Sequence, residues 1–503
     1  MNLKNILVGI EGIKGKGDID IEINSIKNDS RKVEQGDVFV SIRGFVTDGA
    51  NYIEEAMDNG AKVIVVDQDT DLKQIKLRDG VTLLVVPDTR IAMAQMSCNF
   101  YDNPSRKFYL IGVTGTKGKT TTTYMIKSIL EKKGLKVGLI GTIHNYIGSK
   151  QLQDSERTTP ESLELQELFF EMANEKCDVV VMEVSSQSLK LNRVYGSDFN
   201  LGIFTNLSEE HISDKEHTDM QDYFETKSKL FTMCKKAYIN SDDIYAIKLP
   251  KLIPDCEFIT FGIDNYAKNL AKDITITNSY VDFRIKIGDR NERVKTCIPG
   301  RFSVYNSLAA IAVALQFGCN ADQIKEGLLE VRVPGRSEMI DNSLELPIMV
   351  DYAHSPESLE SILNAVKSYT RGRVICVFGC GGDRDQQKRP LMGEIAGRIS
   401  DFTIITSDNP RNEEPEEIIK EIEEGIKKTK ANYKVIVDRR EAIKKAIEMA
   451  NKLDIVVIAG KGHEMYQEVK GELKEFDEKK IILEIVDELK KKEEEKNTKK
   501  KKK

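Results

Sequence analysis

The segment "IGVTGTKGKTTTTYMIKSIL", residues 111–130, sets a strand end, a glycine- and threonine-rich turn and the start of an amphipathic helix in direct succession. Gly115 and Gly118 let the chain turn tightly enough for successive backbone N–H groups to converge on an anion, with a helix N-terminus beneath it. Gly115, Thr116, Lys117, Gly118, Lys119, Thr120 and Thr121 form the cradle. In it Lys119 reaches phosphate oxygens and the Thr120 hydroxyl is placed to ligate Mg²⁺. The usual phosphate-loop pattern has another glycine five residues before Gly118. Val113 stands there, so this is a shortened variant. The expected chemistry is the binding of ATP or GTP.

Other reactive side chains follow apolar runs. Glu183 in "MEVSSQSL" ends a strand, where a carboxylate could hold Mg²⁺ across from Thr120 or cap the next helix. "FTNLSEEHISDKEH" carries His211 and His217, two of only five histidines, in a loop open to metal binding, catalysis or simple solvation. "MQDYFETKSKLF" puts Tyr223, Lys227 and Leu230 near one helix face, and by chemistry alone Lys227 reads as a solvated lysine. Later, "VDYAHSPESL" places Asp351 and His354 between a strand and a helix that Ser355-Pro356 would start. "VFGCGGDRDQQKRP" offers Arg384, "TSDNPRNEEP" offers Asp408, Asn409, Pro410 and Arg411, and "IAGKGHEMYQ" offers Gly460, His463 and Glu464. Four loops that each follow a strand carry polar groups toward one rim, which a purely structural domain has little reason to assemble.

These groups need sheets to position them. Residues 1–105 mix short strands ("DVFVSI", "AKVIVVD") with helices ("YIEEAMDNG", "RIAMAQMSCNFYDN") and read as a small α/β domain. Residues 106–331 contain continuous apolar strands, "KVGLIGT", "CDVVVMEVS" and "LGIFTNL", of the kind buried in a parallel sheet. They read as a doubly wound α/β core, with an antiparallel flank at "DITITNSYVDFRIKI" and "RVKTCIPG". Residues 332–487 alternate five strands with helices as a second, Rossmann-like sheet. The expected fold is three α/β domains in series. Residues 488–503 are Lys-rich and low in complexity, and composition predicts a disordered, solvated tail.

Composition narrows the classes. A chain of 503 residues suits about three domains. The net charge is −6, and without the segment 490–503, which holds nine Lys against three Glu, it is about −12, which argues against a nucleic-acid-binding surface. No apolar run approaches the ~20 residues of a membrane span, and the N-terminus has no secretion-signal pattern, so a cytoplasmic protein without membrane insertion is expected. Eight scattered cysteines, the closest pair Cys376 and Cys380, predict reduced core thiols.

Ten ordered motifs then resemble those of the muramyl ligases of the MurE type: "GVTGTKGKTTTT", "RTTPES", "MEVSSQSL", "TNLSEEHI", "YNSLAA", "PGR", "DYAHSPESL", "FGCGGDRD", "SDNPR" and "GKGHEMYQ". The resemblance covers residues 25–487. It implies an N-terminal UDP-substrate domain, a central ATP-binding domain and a C-terminal amino-acid domain. The implied reaction uses ATP and Mg²⁺ to activate the carboxylate of UDP-MurNAc-L-Ala-D-Glu as an acyl phosphate, which an amino acid attacks to form an amide. By the same resemblance Lys119 and Thr120 hold phosphates and Mg²⁺, Glu183 and His211 bind metal, and Asn306, Arg336 and Asp351 face the nucleotide. Lys227 matches a carbamylated lysine that serves as an anionic metal ligand, against its solvated reading. Ser30, Thr158, Thr159, Ser185 and Arg193 match UDP-substrate contacts, while Leu191 stands where some members carry a polar residue.

The added amino acid follows from "DNPR", which in this family accompanies meso-diaminopimelate. Arg384 and Arg411 can clamp the distal carboxylate bidentately, and Glu464 can take the distal ammonium. L-Lysine lacks that carboxylate and would leave both arginines unmatched. The remaining readings are the same ligase using L-lysine, another ligase of the superfamily such as folylpolyglutamate synthase, and a non-catalytic nucleotide-dependent regulator. A monomer is expected.

Overall fold

The computed structural model describes residues 1–44, 47–152, 157–209, 212 and 216–501. The chain forms two compact units, residues 1–123 with 133–260, and residues 124–132 with 261–503.

In the first unit, β1 (Lys14–Lys16), β2 (Ile26–Lys27), β3 (Val38–Val40), β4 (Val63–Asp67) and β5 (Thr82–Val86) make a sheet in the order β1-β5-β4-β3-β2, antiparallel only at β1. Alternation along the strands serves two cores. Val38, Val40, Val63 and Val65 pack with Met93 and Met96 of the Thr89–Phe100 helix, while Phe39, Ile64 and Val66 pack with Ile53 and Met57.

The same unit holds β6 (Tyr109–Thr114), β7 (Val137–Ile140), β8 (Tyr146–Ile147), β9 (Lys150–Gln151), β10 (Val179–Glu183), β11 (Phe199–Phe204) and β12 (Cys234–Asn240), in the order β12-β11-β6-β10-β7-β8-β9. The pairs among β7, β10, β6, β11 and β12 are parallel, and β8 and β9 form an antiparallel edge. β6 is therefore flanked by β10 and β11. The loops leaving β6, β7, β10 and β11 all emerge at one end of the sheet, where α/β folds bind ligands.

β13 (Glu257–Gly262) carries the chain into the second unit, where its end pairs with β14 (Asn269–Leu270). β15 (Lys272–Ile276), β16 (Val281–Ile287) and β17 (Arg290–Thr296) then form an antiparallel sheet of their own rather than an extension of the large one. Val281, Phe283, Ile285 and Ile287 alternate inward, so the sheet has one dry face that must be covered. The Arg301–Gln316 helix is buried along nearly its whole length.

A six-stranded sheet follows, built from β18 (Glu338–Met339), β19 (Ile348–Asp351), β20 (Val374–Phe378), β21 (Phe402–Ile405), β22 (Tyr433–Val435) and β23 (Ile455–Ala459), in the order β18-β19-β23-β20-β21-β22. Only β18 is antiparallel. Its two faces are both dry, which explains the uninterrupted apolar runs. Met349, Cys376, Phe378, Ile405 and Val457 meet the helices at 356–369, 388–399 and 415–426, whereas Ile348, Ile375, Val377, Ile404 and Val456 meet those at 439–449 and 478–501. A hairpin of β24 (Tyr466–Val469) and β25 (Glu472–Glu475) precedes the last helix.

That last helix corrects one expectation. It runs from Glu478 to Lys501, so the Lys-rich segment continues a helix instead of forming a disordered tail. Lys and Glu are both good helix formers, and the helix is nucleated by Ile481, Ile482, Ile485 and Val486 in the core. All eight cysteines are free thiols, as composition predicts.

Candidate functional site

Gly115 and Gly118 adopt φ of 140° and 86°, conformations that suit glycine. Gly115 is also sterically required, since a Cβ there would lie 2.0 Å from Thr205 Oγ1. The loop after β11 braces this turn. Thr116 N donates to Asn206 O at 2.9 Å, Lys117 N donates to Asn206 Oδ1 at 3.0 Å, and Asn206 Nδ2 and Thr205 Oγ1 donate to Lys117 O. Lys119 Nζ folds onto its own loop, 2.9 Å from Gly115 O and 3.0 Å from Thr116 O. Thr121 is buried in the first turn of the helix that begins at Lys119.

Glu183 is the hub of the unit. Its buried carboxylate accepts from Thr120 Oγ1 at 3.0 Å, from Thr142 N at 2.9 Å and from Thr142 Oγ1 at 3.1 Å. Thr142 Oγ1 also lies 3.1 Å from Thr158 Oγ1. A continuous line of hydrogen bonds thus runs from the phosphate loop to the "RTTP" segment. Space is tight here, because a Cβ on Gly141 would come 2.4 Å from Glu183 Oε1. Thr159 Oγ1 donates to Glu183 O at 2.9 Å and accepts from Ser185 N at 3.1 Å. Ser185 caps the next helix through Ser188 N.

Arg193 donates to Thr159 O at 3.2 Å and pairs with Glu161 at 2.9 Å, and its buried Nε has no hydrogen-bond partner among the described residues. Burial pulls the pKa of this guanidinium below its ordinary value. Thr158, Thr159, Ser185 and Arg193 therefore come together beside Glu183. Ser30 belongs to the N-terminal sheet, where its hydroxyl donates to Glu55 at 2.6 Å.

Lys227 is not solvated. It is 1% exposed, with Nζ 3.0 Å from Gly115 O and 4.6 Å from the centre of the Tyr223 ring. The helical face bearing Tyr223, Lys227 and Leu230 is the buried one, which brings Lys227 under the phosphate loop. His211 lies outside the described residues.

His217 is 2% exposed, with Nδ1 3.0 Å from Asp222 Oδ2 and its ring 4.8 Å from that of Tyr223. Burial lowers its pKa below 6.5; Asp222 opposes the shift, and the charges of Lys190 and Lys227 add to it. In the window from 6.5 downward to the folded value, the unfolded chain holds a proton that the folded chain does not. Stability must fall as pH drops through that window. Thermal melts at about pH 7.5 and about pH 5.5 should show a smaller drop for His217→Gln, which keeps a polar partner for Asp222 but does not titrate. An equal drop in both proteins would assign the pH dependence to other groups.

In the second unit, Asn306 is buried on the Arg301–Gln316 helix, and its Nδ2 has no hydrogen-bond partner among the described residues. The same holds for Arg336 Nε, while the Arg336 guanidinium stacks 4.8 Å from the Tyr352 ring. Asp351 Oδ2 accepts from Ser337 N at 2.7 Å, and burial raises its pKa despite the Arg336 charge. His354 Nδ1 lies 2.7 Å from Tyr352 O.

The loops after β20, β21 and β23 converge as their sequence order suggests. Asn409 Nδ2 donates to Glu464 Oε2 at 2.8 Å. Arg411, at φ 51°, pairs with Glu468 at 3.0 Å and donates to Gly382 O at 2.9 Å. Arg384 is exposed, and both arginines border Gly381: a Cβ there would lie 2.9 Å from Arg411 Nη1 and 3.8 Å from Arg384 Cγ. Gly460 must lack a side chain, since its Cβ would meet Asp408 Oδ2 at 2.6 Å, and the Pro410 carbonyl closes similarly on Gly382. Beneath them the fully buried Arg439 joins Ala459 O, Ser407 O and Glu478, tying two strand ends to the last helix.

Three family models match the chain in succession: "Mur ligase family, catalytic domain" over residues 22–101, "Mur ligase middle domain" over 113–314, and "Mur ligase, glutamate ligase domain" over 335–462. A UDP-N-acetylmuramoyl-L-alanyl-D-glutamate--2,6-diaminopimelate ligase of Caldanaerobacter subterraneus subsp. tengcongensis is 48% identical over 489 residues, 97% of this chain and 99% of that protein. The chain belongs to the Mur ligase family. A solved structure of a protein with that same ligase name superposes with a TM-score of 0.69 at 30% identity, covering 97% of this chain and 99% of the other. A MurF ligase from Thermotoga maritima, solved in complex with ADP, shares the fold with a TM-score of 0.60 at 19% identity over 93% of this chain and 98% of its own.

Membership makes the donor set of this Mur ligase intelligible. Among the described residues no group of three or more His, Cys, Asp and Glu side chains is arranged to hold a metal ion alone. Mg²⁺ binds through one or two carboxylates together with substrate phosphates. Thr120 and Glu183, 3.0 Å apart, fit such a role. The orphaned donors of Asn306 and Arg336 fit a polar nucleotide. Sequence reasoning passed over Thr142, Asn206, Lys461 and Glu468. Asn206 sits within the quoted "TNLS" and Lys461 within "GKGHE", but only contacts distant in sequence reveal what they hold. No helix among the described residues is long and apolar enough to cross a membrane.

Proposed function

We propose that this Mur ligase adds meso-diaminopimelate to UDP-N-acetylmuramoyl-L-alanyl-D-glutamate at the expense of ATP, in peptidoglycan precursor synthesis in the cytoplasm. The observation that carries the amino-acid choice is the pair Arg384 and Arg411 bordering Gly381, in loops shared with Glu464. Two guanidiniums suit a second carboxylate, and a carboxylate beside them suits an ammonium, so the site matches a zwitterionic distal end.

In this reading Lys119, Gly118 and the flanking loop amides hold the phosphates, while Thr120, Glu183 and His211 hold Mg²⁺ with Lys227 as a carbamate. Bound Mg²⁺ supplies charge neutralisation for the phosphates. Asn306, Arg336 and Asp351 bind the nucleotide. Ser30 takes the UDP end, and Thr158, Thr159, Ser185 and Arg193 hold the peptide end near the phosphate loop. The γ-phosphoryl group passes to the D-glutamyl carboxylate, releasing ADP. The amine of diaminopimelate then attacks the acyl carbon, losing a proton as phosphate departs. Such transfer depends on positioning and electrostatics more than on covalent help from the protein.

The test is phosphate release by the purified protein with ATP, Mg²⁺ and UDP-MurNAc-L-Ala-D-Glu, with meso-diaminopimelate or L-lysine, and mass spectrometry of the product. Turnover with diaminopimelate alone supports the proposal. Turnover with lysine would retain the ligase and overturn the arginine argument, and none with either would favour a rival ligase or a regulator.

A further inference from the structure

The burial of Lys461 in the amino-acid loops has no explanation in the reaction described above. Its side chain is 0% exposed, an expensive setting for an ammonium unless it is fully engaged. Nζ donates to Asn409 Oδ1 at 2.8 Å and to Glu464 Oε2 at 3.0 Å, and it lies 5.6 Å from the centre of the Tyr466 ring.

Those contacts settle two orientations. Asn409 Oδ1 accepts from Lys461 Nζ and from Glu468 N at 3.0 Å, so the amide cannot flip without facing donors with donors. Its Nδ2 is thereby aimed at Glu464 Oε2, at 2.8 Å. Glu464 Oε2 thus takes two donors, which leaves Oε1 to meet a ligand. Lys461 also cancels the charge of Glu464, just as Glu468 cancels that of Arg411 at 3.0 Å. Arg384 and the buried Asp408 add one further charge of each sign, so these six groups carry three positive and three negative charges.

We propose that Lys461 is a positioning residue that sets amino-acid specificity, and this rests on the functional reading above. By locking Asn409 and neutralising Glu464, it keeps the site neutral, where Arg384 and Arg411 alone would face the three carboxylates of Asp408, Glu464 and Glu468. A distal end bearing both ammonium and carboxylate is neutral and suits a neutral site, whereas the lone ε-ammonium of L-lysine would suit the excess negative charge that Lys461 removes.

The experiment compares wild type with Lys461→Met and Lys461→Gln, using steady-state KM for diaminopimelate, ATP and UDP-MurNAc-L-Ala-D-Glu, the ratio of kcat/KM for diaminopimelate over L-lysine, and melting temperature. Wild type is measured first, so failure to use diaminopimelate counts against the functional reading and not against Lys461. Lys461→Met should raise KM for diaminopimelate about tenfold, and both variants should leave the other two KM values within about twofold and lower the diaminopimelate-to-lysine ratio. Gln keeps a donor for Asn409 without the charge, so it should recover KM in part but not the ratio. An unchanged ratio in a folded variant overturns the proposal. So does a uniform rise in all three KM values, the mark of a merely structural lysine. If Lys461→Met does not fold, the ratio in Lys461→Gln decides alone.

Discussion

Glu183→Gln is expected to lower ATP-dependent phosphate release by about two to three orders of magnitude. The carboxylate receives three donors, the Thr120 hydroxyl and the amide and hydroxyl of Thr142. An amide in its place turns one acceptor into a donor, so the Thr120 and Thr142 hydroxyls must rotate to accept from it, and the negative charge available to Mg²⁺ disappears. Gly141→Ala separates the two causes. Its Cβ would lie 2.4 Å from Oε1, so it displaces the carboxylate without discharging it. The check is kcat at saturating ATP with the Mg²⁺ dependence for both variants. Both should lose activity, with Glu183→Gln losing more and requiring more Mg²⁺. A Glu183→Gln enzyme within about threefold of wild type would reduce Glu183 to a strand-end acid that orders threonines.

Lys227→Ala should lose a similar factor, about 100-fold or more, and short-chain carboxylates such as acetate should restore part of it. The ammonium now sits 3.0 Å from Gly115 O and is 1% exposed. Condensation with CO₂ would release two protons, one from the ammonium and one as the carbamate forms, and convert this cation into an anion directed at the phosphate-loop end of the sheet. That is the property a metal ligand needs and an ammonium lacks. Added acid can occupy the cavity left by the variant only if the missing group was anionic, whereas rescue by small amines would assign the role to the ammonium. Full activity in Lys227→Ala would remove the residue from catalysis.

If both residues serve the proposed metal site, the two losses come through different elements. Glu183 ends β10, and Lys227 projects from the Met220–Thr232 helix. Their effects should therefore be non-additive, as expected for groups acting on a single bound metal.

Much of this was legible in the chain itself, because its signals are local. A strand, two glycines, Lys119-Thr120 and a helix follow one another within twenty residues, so the phosphate loop announces itself before any contact is known. The apolar runs at Val374–Phe378 and Ile455–Ala459 declare a sheet covered on both faces, and the groups after them must lie at its carboxyl ends. Ser355-Pro356 starts its helix with the expected cap.

Tertiary structure decided what depends on partners distant in sequence. Glu183 could have capped a helix; β10 lying between β6 and β7 puts it against Thr120, 63 residues away, and Thr142. Lys227 read as solvated because helical spacing gives a face but not the neighbour it meets, and the packing of that face under Gly115 buried it. The Lys-rich end read as a disordered tail because composition does not register that a core-anchored helix precedes it. Lys461 had no signal of its own beyond a motif, since its role consists of contacts to Asn409, 52 residues back, and to Glu464. Backbone conformation is written over a few residues, but the environment of a charged group is set by whichever strands the fold brings beside it.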